Sequence, residues 1–141
     1  MKRDKQKSAV YDWESREVAP HDKNPVPFAQ IDSIVRHVWA SEGLMYPPLV
    51  EKMPTRNKLA GDGCRTMLRF QSPTYTWIVL HEISHALTAE CDGRTNKHGA
   101  LFMGMYCQLL QRYLHLNIAE LAETAQQAGL RVKLDATPVF I

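Results

Sequence analysis

His81-Glu82-Ile83-Ser84-His85 sets two imidazoles four residues apart, with a carboxylate directly after the first. On a helix, positions four apart stack on one face, so both rings project together at a separation that a single metal ion spans. Glu82 then flanks the same site, where it can take a proton from a water without itself being a ligand. Two neutral imidazoles with one further ligand and one open position suit Zn²⁺, which lowers the pKa of its bound water to about 7. The chemistry this pattern predicts is hydrolysis, with Glu82 as general base. Trp77-Ile78-Val79-Leu80 before the motif and Ala86-Leu87 after it carry no charge. That is the setting of a helix with a buried side. The competing reading is a pair of polar histidines on an ordinary amphipathic helix.

A third ligand has to come from elsewhere in the chain. Glu90 is five residues past His85, about 140° around the helix, and points away. The extended pattern HExxHxxGxxH would need Gly and His three and six residues after His85, where this chain has Thr88 and Cys91. Cys91 is an alternative ligand as a thiolate, although it falls at the helix end. His98 is better placed, thirteen residues past His85 and directly ahead of a predicted helix. The macrodipole at a helix N-terminus disfavours the imidazolium and so favours a neutral, ligating ring. His115 is about 25 Å further along that helix, so it cannot share one metal with His98. Glu120 and Glu123 stay open as carboxylate ligands. For a developing oxyanion, Tyr75, Arg94 and Tyr106 lie in the sequence neighbourhood, each with an ordinary structural explanation as well.

The elements that must position these groups are read from periodicity and turn chemistry. Residues 1–8 carry four basic groups and one acid, and are expected to be a loose basic N-terminus. A loop follows over 20–27, rich in Pro and Asn. Phe28, Ile31, Ile34, Val35, Val38 and Trp39 recur at steps of three and four, predicting an amphipathic helix that ends before Gly43. His37 lies beside that stripe as an ordinary flanking residue. Residues 49–70 read as a small sheet. Leu49 to Met53 is one strand, and Asn57 to Ala60 and Cys64 to Phe70 flank Gly61-Asp62-Gly63 as the turn of a hairpin. Arg65 and Arg69 would solvate its open face or meet an acidic ligand. Pro73 after Ser72 predicts the start of the motif helix, running to about Ala89. A third helix spans about 99–116, with Met103 and Met105 read as core filling. Asn117-Ile118-Ala119-Glu120 has the form of a capping box opening a short helix to Ala128, with Gly129 as its stop. Leu130, Val132 and Leu134 alternate with basic residues, predicting a last strand.

Composition bounds the rest. The 141 residues are 45 % hydrophobic and 23 % charged, with net charge +2, which fits one globular domain over 1–141 and gives no ground for an obligate nucleic-acid partner. No hydrophobic run exceeds four residues, so neither a membrane span nor a signal peptide is expected. Three widely spaced cysteines make neither a disulfide framework nor a thiolate zinc cluster. A cytoplasmic protein is the expectation.

His81-Glu82-x-x-His85, followed by His98-Gly99-x-x-Phe102, resembles the zincin pattern of SprT-like metalloproteases. It is similar also to the small HExxH metallohydrolases of actinobacteria and their phages, which open on an Arg-Asp-x-Gln-x-x-x-Val-Tyr stretch matched here by Arg3 to Tyr11. The resemblance implies His81, His85 and His98 as zinc ligands and Glu82 as general base. It implies an α+β fold with a zincin-like core: a small antiparallel or mixed sheet packed on the HExxH helix, with an N-terminal amphipathic helix and C-terminal helices. SprT-like proteins often carry a cysteine-rich ribbon or DNA-binding tail, and this chain shows neither. The expected function is zinc-dependent hydrolysis of a peptide or protein. Its rivals are a metallohydrolase of non-peptide amides and a catalytically silent, metal-holding regulatory protein. A substrate strand would lie along Cys64 to Phe70 if that arm is the sheet edge.

Overall fold

The computed structural model describes residues 6–54, 61–89 and 98–139. Helix α1 (Lys7–Glu17) opens them, so Lys7 and Ser8 belong to a regular helix where the sequence predicts a loose start. Its buried stripe is Val10, Trp13 and Glu14, and Trp13 Nε1 donates to Thr124 Oγ1 at 2.9 Å. Ala19–His21 forms one 3₁₀ turn. β1 (Pro25–Val26) then pairs antiparallel with β5, a two-residue strand described below. The predicted 20–27 loop is therefore partly structured. α2 (Phe28–Ser41) follows as the periodicity requires, burying Ile31, Val35, Val38 and Trp39 and exposing His37.

The main sheet is mixed. β2 (Leu49–Lys52) runs parallel to β4 (Met67–Phe70), and β3 (Gly61–Gly63) pairs antiparallel with β4's other side, Gly61 opposite Phe70 and Gly63 opposite Leu68. Two expectations change here. Gly61-Asp62-Gly63 is a strand rather than a turn, and the Cys64 to Phe70 arm is central rather than at an edge. The predicted arm Asn57 to Ala60 lies almost wholly before this strand and outside the described residues. Arg69 does not face an acidic ligand: it pairs with Asp62 across the strands, its Nε donating at 3.0 Å. Arg65 is 8 % exposed, and its guanidinium donates to the carbonyls of Ala89 and Val139.

β5 (Thr74–Tyr75) leads directly into α3 (Thr76–Leu87). Pro73 thus stands before a strand, not at the first helical position. The helix start is satisfied from a distance instead, because Asp22 Oδ2 accepts the Trp77 N–H at 2.8 Å. α4 (Ala100–Leu114) packs on α3, and α5 (Ile118–Gln127) opens with Asn117 Oδ1 accepting the Glu120 N–H at 3.1 Å. The predicted last strand does not form. Residues 130–139 are a strap laid along α4, with Lys133 N–H bonded to Ala100 O and Gln108 Nε2 donating to the carbonyls of Leu134 and Ala136. Its backbone groups bond to helices α3, α4 and α5, to the side chains of Gln6 and Arg65 and within the strap itself, and pair with no strand among the described residues.

The described residues thus form an α+β fold of five helices and two small sheets. One apolar cluster joins α1 through α5 with Leu68 and Phe70 of β4, and it includes Met103 and Met105. Among the described residues, no helix is long and apolar enough to cross a membrane.

Candidate metal centre

α3 stacks His81 and His85 one turn apart, with ring centroids 5.0 Å from each other. His98 stands immediately before Gly99, the N-cap of α4, and its ring lies 5.3 Å from His81 and 4.7 Å from His85. All three are buried, and one donor atom from each lies within 4.8 Å of the others. The closest approach is His81 Nε2 to His98 Nε2, 3.3 Å. Three buried imidazoles so arranged could hold a metal ion.

The chemistry of the donors fits that use. Burial, reinforced by His81 and His98, holds the His85 pKa well below its ordinary value, so its ring is neutral and able to ligate. His85 Nδ1 is buried with no hydrogen-bond partner among the described residues. An orphaned polar atom of this kind costs about 1–3 kcal/mol unless something binds it. His81 is different. Burial acts to lower its pKa, but the Glu14 and Glu82 carboxylates outweigh that and raise it.

Glu82 is buried against the three histidines, its Oε2 4.0 Å from His81 Nε2. Burial pushes its carboxyl up to about 7; His81 opposes the rise, and Glu14 and Asp62 add to it. The strand beside it has to be slim. A Cβ on Gly63 would fall 2.6 Å from Leu68 Cδ2 and 3.3 Å from Glu82 Oε1. Phe102 closes the other side, stacked on His85 at 4.4 Å and lying 4.9 and 5.0 Å from the rings of His81 and His98.

Of the other candidates, Glu120 and Glu123 are exposed on α5, outside the histidine cluster, and His115 is the exposed, left-handed C-cap of α4. Glu90, Cys91 and Arg94 lie outside the described residues. Tyr75 is the N-cap residue of α3. Tyr106 is not placed to stabilise an oxyanion: it is fully buried, and its hydroxyl donates to Glu14 Oε2 at 2.6 Å. Sequence reasoning missed Glu14, whose Oε2 also lies 2.6 Å from His81 Nδ1. The signal was there, because Val10, Trp13, Glu14 and Val18 fall at helical spacing and put a carboxylate on an apolar stripe. Tyr11 was missed too, its ring 6.2 Å from His81 and 5.5 Å from His98. Compared with protein-family models, with curated proteins and with solved structures, the chain matches none, so the centre stands on its own geometry.

Proposed function

We propose that the chain is a zinc-dependent hydrolase of peptides, with His81, His85 and His98 as the zinc ligands and Glu82 as the general base. One observation carries the reading: three buried imidazoles converge beside the buried Glu82 carboxylate, whose Oε2 lies 4.0 Å from His81 Nε2, beyond hydrogen-bond distance. Zinc–nitrogen bonds of about 2.0–2.1 Å at tetrahedral angles set neighbouring donors about 3.3 Å apart. The Nε2 atoms of His81 and His98 have that separation, 3.3 Å. The zincin-like core and the SprT-like resemblance belong to this same proposal.

Bound zinc supplies a Lewis acid and lets water ionise near neutral pH. Glu82, buried beside the three histidines, is the group that would accept a proton from an attacking water and pass it to the leaving amine as the peptide C–N bond breaks. Phe102 and the buried walls keep bulk water from competing for that proton. Beside Glu82, the outer edge of β3 has no partner strand among the described residues. An extended peptide joining that edge would make main-chain hydrogen bonds there, which favours a peptide over other amides and moves the substrate strand from the Cys64 to Phe70 arm to β3.

The test is zinc content by mass spectrometry together with cleavage of an unstructured peptide library, on wild type, Glu82→Gln and His98→Ala. About one zinc per chain is expected in wild type and Glu82→Gln, and little in His98→Ala. Turnover falls about 10²–10⁴-fold in Glu82→Gln. Full activity in Glu82→Gln sinks the mechanism. Zinc retained by His98→Ala moves the third ligand elsewhere, with Cys91 next to test. A zinc-loaded wild type that cleaves nothing returns the chain to the metal-holding, regulatory reading.

A further inference from the structure

α1 touches the histidine centre at three places, none of them within HExxH. Glu14 is 2 % exposed, and its Oε2 receives both the Tyr106 hydroxyl and the His81 Nδ1 contact, each at 2.6 Å. Gln6, at the start of the helix, donates from Nε2 to the His98 carbonyl and accepts the Arg131 N–H on Oε1 at 2.9 Å. Tyr11, 40 % exposed, lays its ring against His81 and His98 at the mouth of the cluster. Gln6 and Tyr11 are the Gln and Tyr of the N-terminal Arg-Asp-x-Gln-x-x-x-Val-Tyr stretch, which the hydrolytic mechanism leaves without a role.

The atoms involved give these contacts a direction. An imidazole that commits Nδ1 to a carboxylate presents Nε2 as its metal-binding atom, and the partner sets both ring orientation and basicity. In His81 it is Nε2 that faces His98, while Nδ1 faces Glu14. The Tyr106 hydroxyl is aimed at the same carboxylate, 2.6 Å from Glu14 Oε2. It therefore donates to Glu14 and fixes the carboxylate in turn. Gln6 does the equivalent for backbone, tying the carbonyl of the third histidine to the C-terminal strap.

We infer that α1 is a positioning element of the metal centre: Glu14, steadied by Tyr106, orients His81 for binding, and Gln6 fixes the backbone that carries His98. This rests on the zinc-site reading above. A purely structural α1 would lend stability without changing what the His81 ring presents to a metal.

The experiment titrates Zn²⁺ against a chromophoric chelator, using the full chain and the variants Glu14→Ala, Glu14→Gln, Tyr106→Phe and Gln6→Ala. Circular dichroism confirms that each variant is folded. Zinc affinity is expected to fall about 10- to 100-fold in Glu14→Ala. Glu14→Gln keeps an acceptor and loses less, while Tyr106→Phe and Gln6→Ala each show a smaller loss. A second readout needs no metal. In ¹⁵N–¹H spectra the His81 Nδ1 proton appears in wild type, disappears in Glu14→Ala and shifts in Tyr106→Phe. Wild-type zinc affinity in folded Glu14→Ala and Tyr106→Phe overturns the inference, as does a His81 proton residing on Nε2 alone. The hydrolase reading fails differently: Glu82→Gln keeps full activity while Glu14→Ala still weakens zinc binding.

Discussion

His81 meets carboxylates at both ends of its ring, Glu14 Oε2 2.6 Å from Nδ1 and Glu82 Oε2 4.0 Å from Nε2. The two acids are alike in burial and unlike in duty, since Glu14 is taken up by two hydrogen bonds and Glu82 is held against a glycine strand. Asp22 acts on the same helix from outside it, by accepting the Trp77 N–H. Removing such a cap costs about 0.5–2 kcal/mol, so Asp22→Ala should lower the urea midpoint accordingly and fray the helix start ahead of His81. Unchanged stability would mean that water replaces Asp22 at no cost. HExxH was legible in the sequence because its geometry is local, four residues on one helix. His98 was legible because it precedes a helix start. Glu14 was legible only as a carboxylate on an apolar helical stripe, and its partner was not, because that contact spans 67 positions of chain.

At the scale of elements, the strap over 130–139 is seated by close approach as much as by hydrogen bonds. A Cβ on Gly104 would lie 1.6 Å from the Lys133 carbonyl oxygen, a backbone atom that cannot swing aside. Gly104→Ala should therefore lift the strap off α4 and cost about 1–3 kcal/mol by urea unfolding. If the variant is as stable as wild type, the strap does not sit there. α2, α4 and α5 could be read from three-and-four spacing and caps, because each buries a clean apolar face. α1 could not, since a charge interrupts its buried stripe. β1 and β5 have two residues each, too few for any period to show. Residues 130–134 alternate in type but not throughout in burial, Leu130 being buried and Leu134 41 % exposed, and α4, α5 and Gln6 take the backbone groups that a strand would have used.

For the whole molecule, the centre draws on α1, α3, α4 and the loop before α4, so a bound ion ties together parts of the chain far apart in sequence. A ligand that binds only the folded state stabilises it by about 2.7 kcal/mol at a hundredfold excess over Kd. For a chain of this size that corresponds to a rise in Tm of about 5–10 °C. Zinc should produce it in wild type and not in His98→Ala, as read by thermal melting. An equal rise in both would place the stabilising ion elsewhere. The Gln6 clamp spans 125 positions to Arg131, and Glu14 reaches 92 positions to Tyr106. On a ribosome α1 emerges well before its partners Tyr106 and Arg131. Until Arg131 has been added, Gln6 has nothing to tie the His98 backbone to, and a nascent chain carries HExxH without the frame that orients its histidines.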